Sequence, residues 1–148
     1  PGVMKGYLNR PDETSRTIQD GWLHTGDIAR MDEDNYIYIV DRKKDLVIRG
    51  GYNVYPREIE EVMYQIPEIL EVAVFGIPHE DFGEEVAALV VLQENARLEP
   101  ADIRDFVKQR VAPYKYPRII KIVADALPKS GTGKILKKEI RKKFTGVQ

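Results

Sequence analysis

Apolar residues change their spacing along the chain, and each spacing predicts a type of secondary structure. After the turn-forming residues 32–35, the β-branched and aromatic residues 36–40 predict a strand, and residues 46–48 predict a second strand beyond a charged segment. These two strands are expected to form a hairpin or a bent ribbon. Further strands, rich in apolar residues, are predicted at 72–77, 86–92 and 119–123.

Helical spacing alternates with these strands. Pro56 suits the first turn of a helix, and apolar residues follow it at helical spacing until Pro67. Pro100 begins a second helix that ends before Pro113, and residues 136–144 predict a short basic helix. The order of elements predicts an α+β fold, with a short hairpin and a roughly three-stranded sheet packed by helices.

Residues 1–31 are rich in turn-forming residues and contain only short apolar stretches. We expect this part to depend on neighbours that the chain lacks, and Pro1 in place of an initiator methionine suggests a piece of a longer protein. The chain has 148 residues with 43% apolar content, which suffices for the core of one ordinary domain and an attached segment.

The distribution of charged residues limits the classes of molecule that the chain is expected to bind. The net charge is −1, but the residues between 129 and 143 include seven lysines and arginines against the single acid Glu139. This end of the chain should therefore attract anions. No aromatic residues are interleaved with these cations to stack on bases, so nucleic acid is not an expected partner.

Residue types also argue against several kinds of site. The chain has no cysteine, which excludes disulfides and thiolate metal sites and suits a cytoplasmic protein. His24 and His79 lie far apart without ligand spacing, so no metal site is predicted from side chains. The longest aliphatic run, 86–92, is far below the ~20 residues that cross a bilayer, so no transmembrane segment is expected. Peripheral association with a membrane surface is left open.

The segment from Leu127 to Ile135 carries the strongest chemical signal. Small, flexible and polar residues there end in Lys134, and the glycines on either side of Thr132 let the backbone approach a ligand closely. Two interpretations stand: a catalytic arm directed at an anion, or a surface turn before a helix. A Walker phosphate loop is rejected, because Pro128 occupies its first glycine position and Ile135 stands where Ser or Thr is required.

Three other segments join this loop: residues 21–27, which end in Thr-Gly-Asp, residues 41–45, and residues 50–60, which begin with Gly-Gly-Tyr. Taken singly, Asp27 fits a turn or strand-end acid, Arg42 a hairpin cation, and the glycine pair a bulge. In this order and spacing, the four segments resemble the C-terminal portion of the adenylate-forming superfamily. The resemblance runs from about residue 2 to residue 143 and is closest to the long-chain fatty-acyl-CoA ligases, also called acyl-CoA synthetases.

This resemblance implies a domain organisation and a reaction. Residues 1–41 would be the end of a large N-terminal AMP-binding domain, and residues 42–148 a small mobile C-terminal domain, with a hinge near Lys44. The whole enzyme would activate a carboxylic acid, expected to be a fatty acid, as acyl-AMP at the expense of ATP, and then transfer it to CoA. The acyl pocket and the Mg2+ that accompanies ATP would belong to the large domain of the same chain, so the fragment alone is expected to be inactive.

The resemblance also assigns roles to single residues. Asp27 would accept hydrogen bonds from the ribose hydroxyls of ATP or AMP, and Arg42 would lie near the ribose and phosphate. Lys134 would place its ammonium between the substrate carboxylate and the α-phosphate during the first step. The channel for the pantetheine arm of CoA is assigned to Gly50, Gly51 and Tyr52. Lys115 and the basic tail are further candidates for contact with CoA phosphates.

Two alternatives remain beside this interpretation. One is a non-catalytic module that binds a nucleotide or a protein partner. The other keeps the acyl-AMP chemistry but delivers the acyl group to the phosphopantetheine of a carrier protein.

Overall fold

The computed structural model describes residues 2–146, and the chain divides into two compact units, Pro1–Lys44 and Asp45–Gln148, called unit 1 and unit 2 below. The expectation drawn from Pro1 lies outside the described residues. The predicted domain division at residues 41 and 42, with its hinge near Lys44, stays a prediction.

Unit 1 consists of short elements in two small sheets. In chain order they are α1 (Pro11–Thr17), β1 (Ile18–Gln19), β2 (Trp22–Leu23), β3 (Asp27–Met31) and β4 (Ile37–Arg42), followed by a 3-10 turn at Lys43–Asp45. Strands β1 and β2 form one antiparallel pair, and β3 and β4 form another. Helix α1 was not expected from the sequence.

The partner of β4 differs from the prediction, which paired residues 36–40 with residues 46–48. Strand β4 pairs with β3 instead, so that Met31 lies opposite Ile37. The carboxylate of Asp32 causes this, because its Oδ1 accepts hydrogen bonds from the backbone N–H groups of Asp34 and Tyr36 at 3.0 and 2.9 Å. The turn at 32–35 therefore folds the chain back onto the residues before it.

Large apolar side chains of unit 1 face solvent. Leu8 is 88% exposed and Trp22 is 76% exposed. Tyr36, which directly precedes β4, and Ile37 and Ile39 on β4 are also exposed. Among the described residues of unit 1, the buried one is the charged Asp41. Unit 1 thus has no apolar core of its own within residues 2–44, as expected for a segment that depends on neighbours.

Unit 2 is built on a five-stranded sheet. Its elements are β5 (Val47–Arg49), β6 (Tyr52–Val54), α2 (Pro56–Met63), β7 (Ile69–His79), β8 (Gly83–Leu92), α3 (Pro100–Lys108), β9 (Ile119–Val123) and α4 (Lys137–Thr145). Strand β7 pairs with β8 along its whole length, while β9, running parallel, and β5 pair with different ends of β8. The predicted α+β class is confirmed, and the sheet exceeds three strands because the β5–β6 hairpin joins it.

Successive side chains along the strands of unit 2 point to opposite faces of the sheet, and apolar side chains form a layer on each face. Val72 and Val74 face α2 and α3, with which they form one core cluster. Ala73 and Phe75 face the other side, where Leu127 and Ile140 of α4 cover them. The segment that carries Lys134 therefore crosses the face opposite α2 and α3. No helix within residues 2–146 combines the length and the apolarity needed to cross a membrane.

Candidate functional site

The predicted catalytic loop is a closed hairpin between β9 and α4. Lys129 and Ile135 form an isolated antiparallel bridge, and the N–H of Ser130 donates to the carbonyl of Lys134 at 2.8 Å. At the tip, the N–H of Gly133 donates to the carbonyl of Ser130 at 2.9 Å, and Gly133 has a φ of 82°, which glycine adopts without strain. These hydrogen bonds close the backbone of the loop on itself, and the side chain of Lys134 is exposed. The structure thus makes this segment a surface turn, which is also the form that a catalytic arm requires.

The start of the loop is attached to β7 through Glu71. The Glu71 side chain is 12% exposed, accepts a hydrogen bond from the N–H of Leu127 at 2.8 Å, and forms an ion pair with Lys129. The hydrogen bond from Lys129 lowers the pKa of Glu71 below its usual value; burial opposes this shift, and the N–H of Leu127 adds to it. Glu71 is therefore held ionised as an anchor for the loop.

The end of the loop is attached through Lys137, the first residue of α4. Its Nζ lies 2.7 Å from Oε1 of Glu60 on α2, and each of the two side chains is 15% exposed. The same Glu60 oxygen accepts a hydrogen bond from the N–H of Val74 at 2.7 Å, which ties the pair to β7. Lys129 and Lys137 are thus neutralised by carboxylates, whereas within residues 2–146 the structure gives Lys134 no ion pair.

The glycine pair forms a hairpin turn, not a bulge. Arg49 lies opposite Tyr52 in the β5–β6 ladder, which leaves Gly50 and Gly51 as a two-residue connection. Their φ angles are 55° and 83°, the left-handed values of a type I′ turn. A Cβ on Gly50 would lie 3.3 Å from the ring of Phe82, whereas a Cβ on Gly51 would meet no atom within 4 Å. The backbone of Gly51 is therefore open to a ligand.

Aromatic and charged groups surround this turn. Tyr52 stacks on Tyr114, with ring centroids 4.7 Å apart. Lys115, a candidate for CoA phosphates, donates hydrogen bonds to both carboxylate oxygens of Glu58, at 2.7 and 2.8 Å. Its charge is already partnered, which weakens that assignment.

A buried ion pair lies directly beside the turn, and the sequence analysis missed it. Nε and Nη2 of Arg49 contact the two oxygens of Glu85 at 2.6 and 2.9 Å. The side chains are only 12% and 7% exposed. Burial favours a higher pKa for Glu85, but hydrogen bonds from Arg49 and the N–H of Val86 outweigh it, so the pKa of Glu85 lies below its usual value. The available signal was a glutamate next to the apolar strand 86–92, where a charge requires a partner.

Unit 1 brings two other predicted site residues together. Asp27 and Arg42 lie opposite each other in the β3–β4 ladder, and Nε of Arg42 lies 3.0 Å from Oδ1 of Asp27. A cavity of about 370 Å³ adjoins them, lined by Thr25, Gly26, Arg42, Lys43 and Lys44. The cavity lining includes three cations and backbone from the Thr-Gly-Asp motif, which suits a ligand with anionic and hydroxyl groups.

The predicted residues therefore fall into three groups. Asp27 and Arg42 form an ion pair in unit 1, where Lys44 also lines the cavity. Gly50, Gly51 and Tyr52 lie on the β5–β6 hairpin of unit 2, and Lys134 lies on a separate loop of the same unit. Across residues 2–146, no group of three or more His, Cys, Asp or Glu side chains is arranged to hold a metal ion.

Comparison with known families gives a match over more than half of the chain. The profile of the AMP-binding enzyme C-terminal domain matches residues 58–134. This range begins within α2 and includes the β7–β8 ladder and the loop up to Lys134.

Relatives of known name extend the similarity over nearly the whole chain. A long-chain-fatty-acid–CoA ligase of Bacillus subtilis is 46% identical over 98% of this chain. A medium/long-chain-fatty-acid–CoA ligase of Mycobacterium tuberculosis is 50% identical over 97%. The chain spans 26% of the length of each of these two relatives.

A solved structure supports the fold. The ATP-bound crystal structure of MatB from Rhodopseudomonas palustris matches with a TM-score of 0.90 and 39% sequence identity, over 98% of this chain and 29% of that one. The predicted resemblance is confirmed at the level of the family, and the chain belongs to the AMP-binding enzyme C-terminal domain family.

Proposed function

We propose that this chain is part of an AMP-forming acid–thiol ligase, which activates a carboxylic acid with ATP and transfers the acyl group to CoA. The observation that carries the proposal is the state of Lys134. Its two neighbouring lysines, Lys129 and Lys137, are paired with carboxylates, whereas Lys134 is presented to solvent at the end of a closed hairpin. A cation held in this way is available to an anionic ligand.

In the first step, a carboxylate oxygen of the acid attacks the α-phosphorus of ATP, and pyrophosphate leaves. Negative charge increases on the α-phosphate oxygens while the acid brings its own charge. The ammonium of Lys134 would lie between these groups and stabilise the transition state. Loss of one such contact typically costs about 3 kcal/mol, or roughly 100-fold in rate.

The nucleotide would be held by the Asp27–Arg42 pair. In the structure Arg42 contacts Oδ1 of Asp27, and the carboxylate can also accept hydrogen bonds from ribose hydroxyls. Arg42, Lys43 and Lys44 supply positive charge around the adjoining cavity, which suits phosphate oxygens.

In the second step, the thiol of CoA displaces AMP from the acyl-AMP. The Gly50–Gly51 turn would line the channel for the pantetheine arm, because no Cβ obstructs the open side of Gly51. Lys134 and the turn lie on different loops of unit 2, so a rotation near Lys44 would present them in succession. The same channel would accept a carrier-protein phosphopantetheine, which is the second acceptor that we consider.

The remaining machinery would lie in a large N-terminal domain of the same chain. The exposed apolar residues of unit 1, such as Leu8 and Trp22, support such a partner. A fatty acid is the proposed substrate class because two relatives bear the names of fatty-acid–CoA ligases. Mg2+ would accompany ATP, and we assign no metal ligand to this chain. The chain alone would be inactive.

The test is the Lys134→Ala variant of the full-length enzyme that carries this chain. We expect fatty-acid-dependent ATP–pyrophosphate exchange to fall roughly 100-fold or more, while thioester formation from supplied acyl-AMP and CoA stays within about twofold of wild type. Lys108→Ala, at an exposed lysine near the end of α3, is the matched control and should change neither rate. Exchange at the wild-type rate in Lys134→Ala would refute the assigned role, and a wild-type enzyme without either activity would refute the proposed function.

A further inference from the structure

The β5–β6 hairpin, which carries the Gly50–Gly51 turn, has few backbone contacts with the sheet. Strand β5 pairs with β8 at a single position, Arg49 opposite Gly83, whereas ten residue pairs join β7 to β8. One further backbone hydrogen bond, from the N–H of Gly50 to the carbonyl of Phe82, measures 2.9 Å. Val47 and Val54 are fully buried in the core and hold the base of the hairpin, whereas the turn end depends on these few backbone contacts.

Side chains of β8 add to the attachment near the turn. The carboxylate of Glu84 accepts a hydrogen bond from the N–H of Ile48 at 2.8 Å, and Glu85 pairs with Arg49, the residue directly before the turn. The guanidinium of Arg49 donates hydrogen bonds to both oxygens of Glu85 on β8, at 2.6 and 2.9 Å. This bidentate geometry fixes both the distance between the two side chains and their relative orientation. The guanidinium also lies over the ring of Phe82, 4.3 Å from its centroid. Glu85 is fixed in turn, because its Oε1 accepts a hydrogen bond from the N–H of Val86 at 2.8 Å.

The buried ion pair of Arg49 and Glu85 is a poor source of stability by itself. Taking both charges out of water has a large desolvation penalty, and well-packed apolar residues often replace a buried ion pair without loss of stability. An apolar pair, however, would not define the position of the turn as a two-point hydrogen-bonded contact does. Because Arg49 directly precedes Gly50, a contact that fixes Arg49 also fixes the position of the turn.

We propose that Arg49 and Glu85 are a positioning pair, which holds the Gly50–Gly51 turn in the place required for transfer of the acyl group to the thiol. This inference rests on the proposed function. The pair acts on the thiol-transfer step and not on adenylation, because the Lys134 loop is attached elsewhere, through Glu71 and Glu60.

The experiment uses two variants of the full-length enzyme. Arg49→Lys keeps the charge but loses the two-point contact, and Arg49→Met with Glu85→Leu replaces the pair by apolar residues of similar size. We expect KM for CoA in thioester formation from supplied acyl-AMP to rise roughly 10- to 100-fold in both variants, because small displacements of a site are costly. ATP–pyrophosphate exchange should stay within about twofold of wild type, and the melting temperature of the double variant should stay close to it.

Arg57→Lys is the matched control, since Arg57 forms an exposed i, i+4 pair with Glu61 on α2. It should leave both half-reactions unchanged. An equal loss of exchange and thioester formation would show a merely structural role and overturn the inference, as would an unchanged KM for CoA. A wild-type enzyme that forms acyl-AMP but no thioester with CoA would overturn the inference together with the acceptor assigned under the proposed function, whereas normal wild-type activity with unaffected variants would overturn the inference alone.

Discussion

The Lys134 loop and the Gly50–Gly51 turn lie in the same unit and are both proposed to meet substrate, yet they are built in opposite ways. The Lys134 loop is closed by one backbone bridge and presents an exposed cation, and its attachments lie at its two ends. The Gly50–Gly51 turn presents no functional side chain, and a buried ion pair lies immediately beside it.

The difference fits what each element would have to supply under the proposed function. A lysine delivers charge through a long, flexible side chain, so its backbone needs only approximate placement and must not neutralise the ammonium. A backbone that lines a narrow channel has no side chain to compensate for an error in position. The Lys134 loop is therefore anchored at its two ends, away from Lys134 itself. The Gly50–Gly51 turn is anchored at Arg49, the residue next to it.

The Gly51→Asn substitution is expected to have the largest effect among the tests of this comparison. Asparagine tolerates a positive φ, so the type I′ turn should survive, but its side chain would enter the open space beside Gly51. In the full-length enzyme we expect thioester formation from supplied acyl-AMP to fall roughly 10- to 100-fold. ATP–pyrophosphate exchange should stay close to wild type, the reverse of the pattern expected for Lys134→Ala.

Gly146→Asn serves as the control for Gly51→Asn. Gly146 has a φ of 69° at the end of α4, and a Cβ there would also meet no atom within 4 Å. This variant should leave both half-reactions unchanged. Normal thioester formation in Gly51→Asn would show that no thiol arm passes the turn.

Periodicity in the sequence predicted the frame of unit 2 well. Strand β9 occupies the predicted residues 119–123, and α2 and α3 begin at Pro56 and Pro100 as expected. Strands β7 and β8 run beyond their apolar cores, to His79 and from Gly83, because backbone hydrogen bonding continues where the side chains turn polar. The hairpin of β4 was assigned to the wrong partner because two short strands flank it at similar distances along the chain.

The attachments of the two loops could not be predicted in the same way. Arg49 and Glu85 are 36 residues apart, and Glu71 and Lys129 are 58 residues apart. Local spacing carries no information about such pairs, since any of the charged residues could serve as partner. Family resemblance supplied the residues that are proposed to face substrate, whereas the residues that hold them in place required the three-dimensional structure.

A smaller effect is expected from Glu71→Gln, which tests the attachment of the Lys134 loop. Glutamine can still accept the hydrogen bond from the N–H of Leu127, but it removes the charge that pairs with Lys129. We expect ATP–pyrophosphate exchange to fall about tenfold as the loop becomes less well placed, with thioester formation unchanged. Glu94→Gln, at an exposed position after β8, is the control. Equal losses in both half-reactions would mean that Glu71 supports unit 2 as a whole.

The smallest effect concerns the stability of this chain at acid pH, and it separates the charge of the Glu71 anchor from its placement of the loop. The pKa of Glu71 in the folded chain is lowered, chiefly by the hydrogen bond from Lys129. Such a group contributes stability that is present above the unfolded pKa of about 4.3 and is lost as the pH falls through the lower folded value. Urea unfolding followed by circular dichroism should therefore show that the free energy of unfolding decreases below about pH 4.5. This decrease should be smaller in Glu71→Gln than in wild type, by about 1 kcal/mol or less.

Glu85, whose pKa is also lowered, should account for acid sensitivity that remains in the Glu71→Gln variant. Parallel curves for wild type and Glu71→Gln would show that the Glu71 charge adds nothing to stability, and any loss of exchange would then be due to loop placement alone.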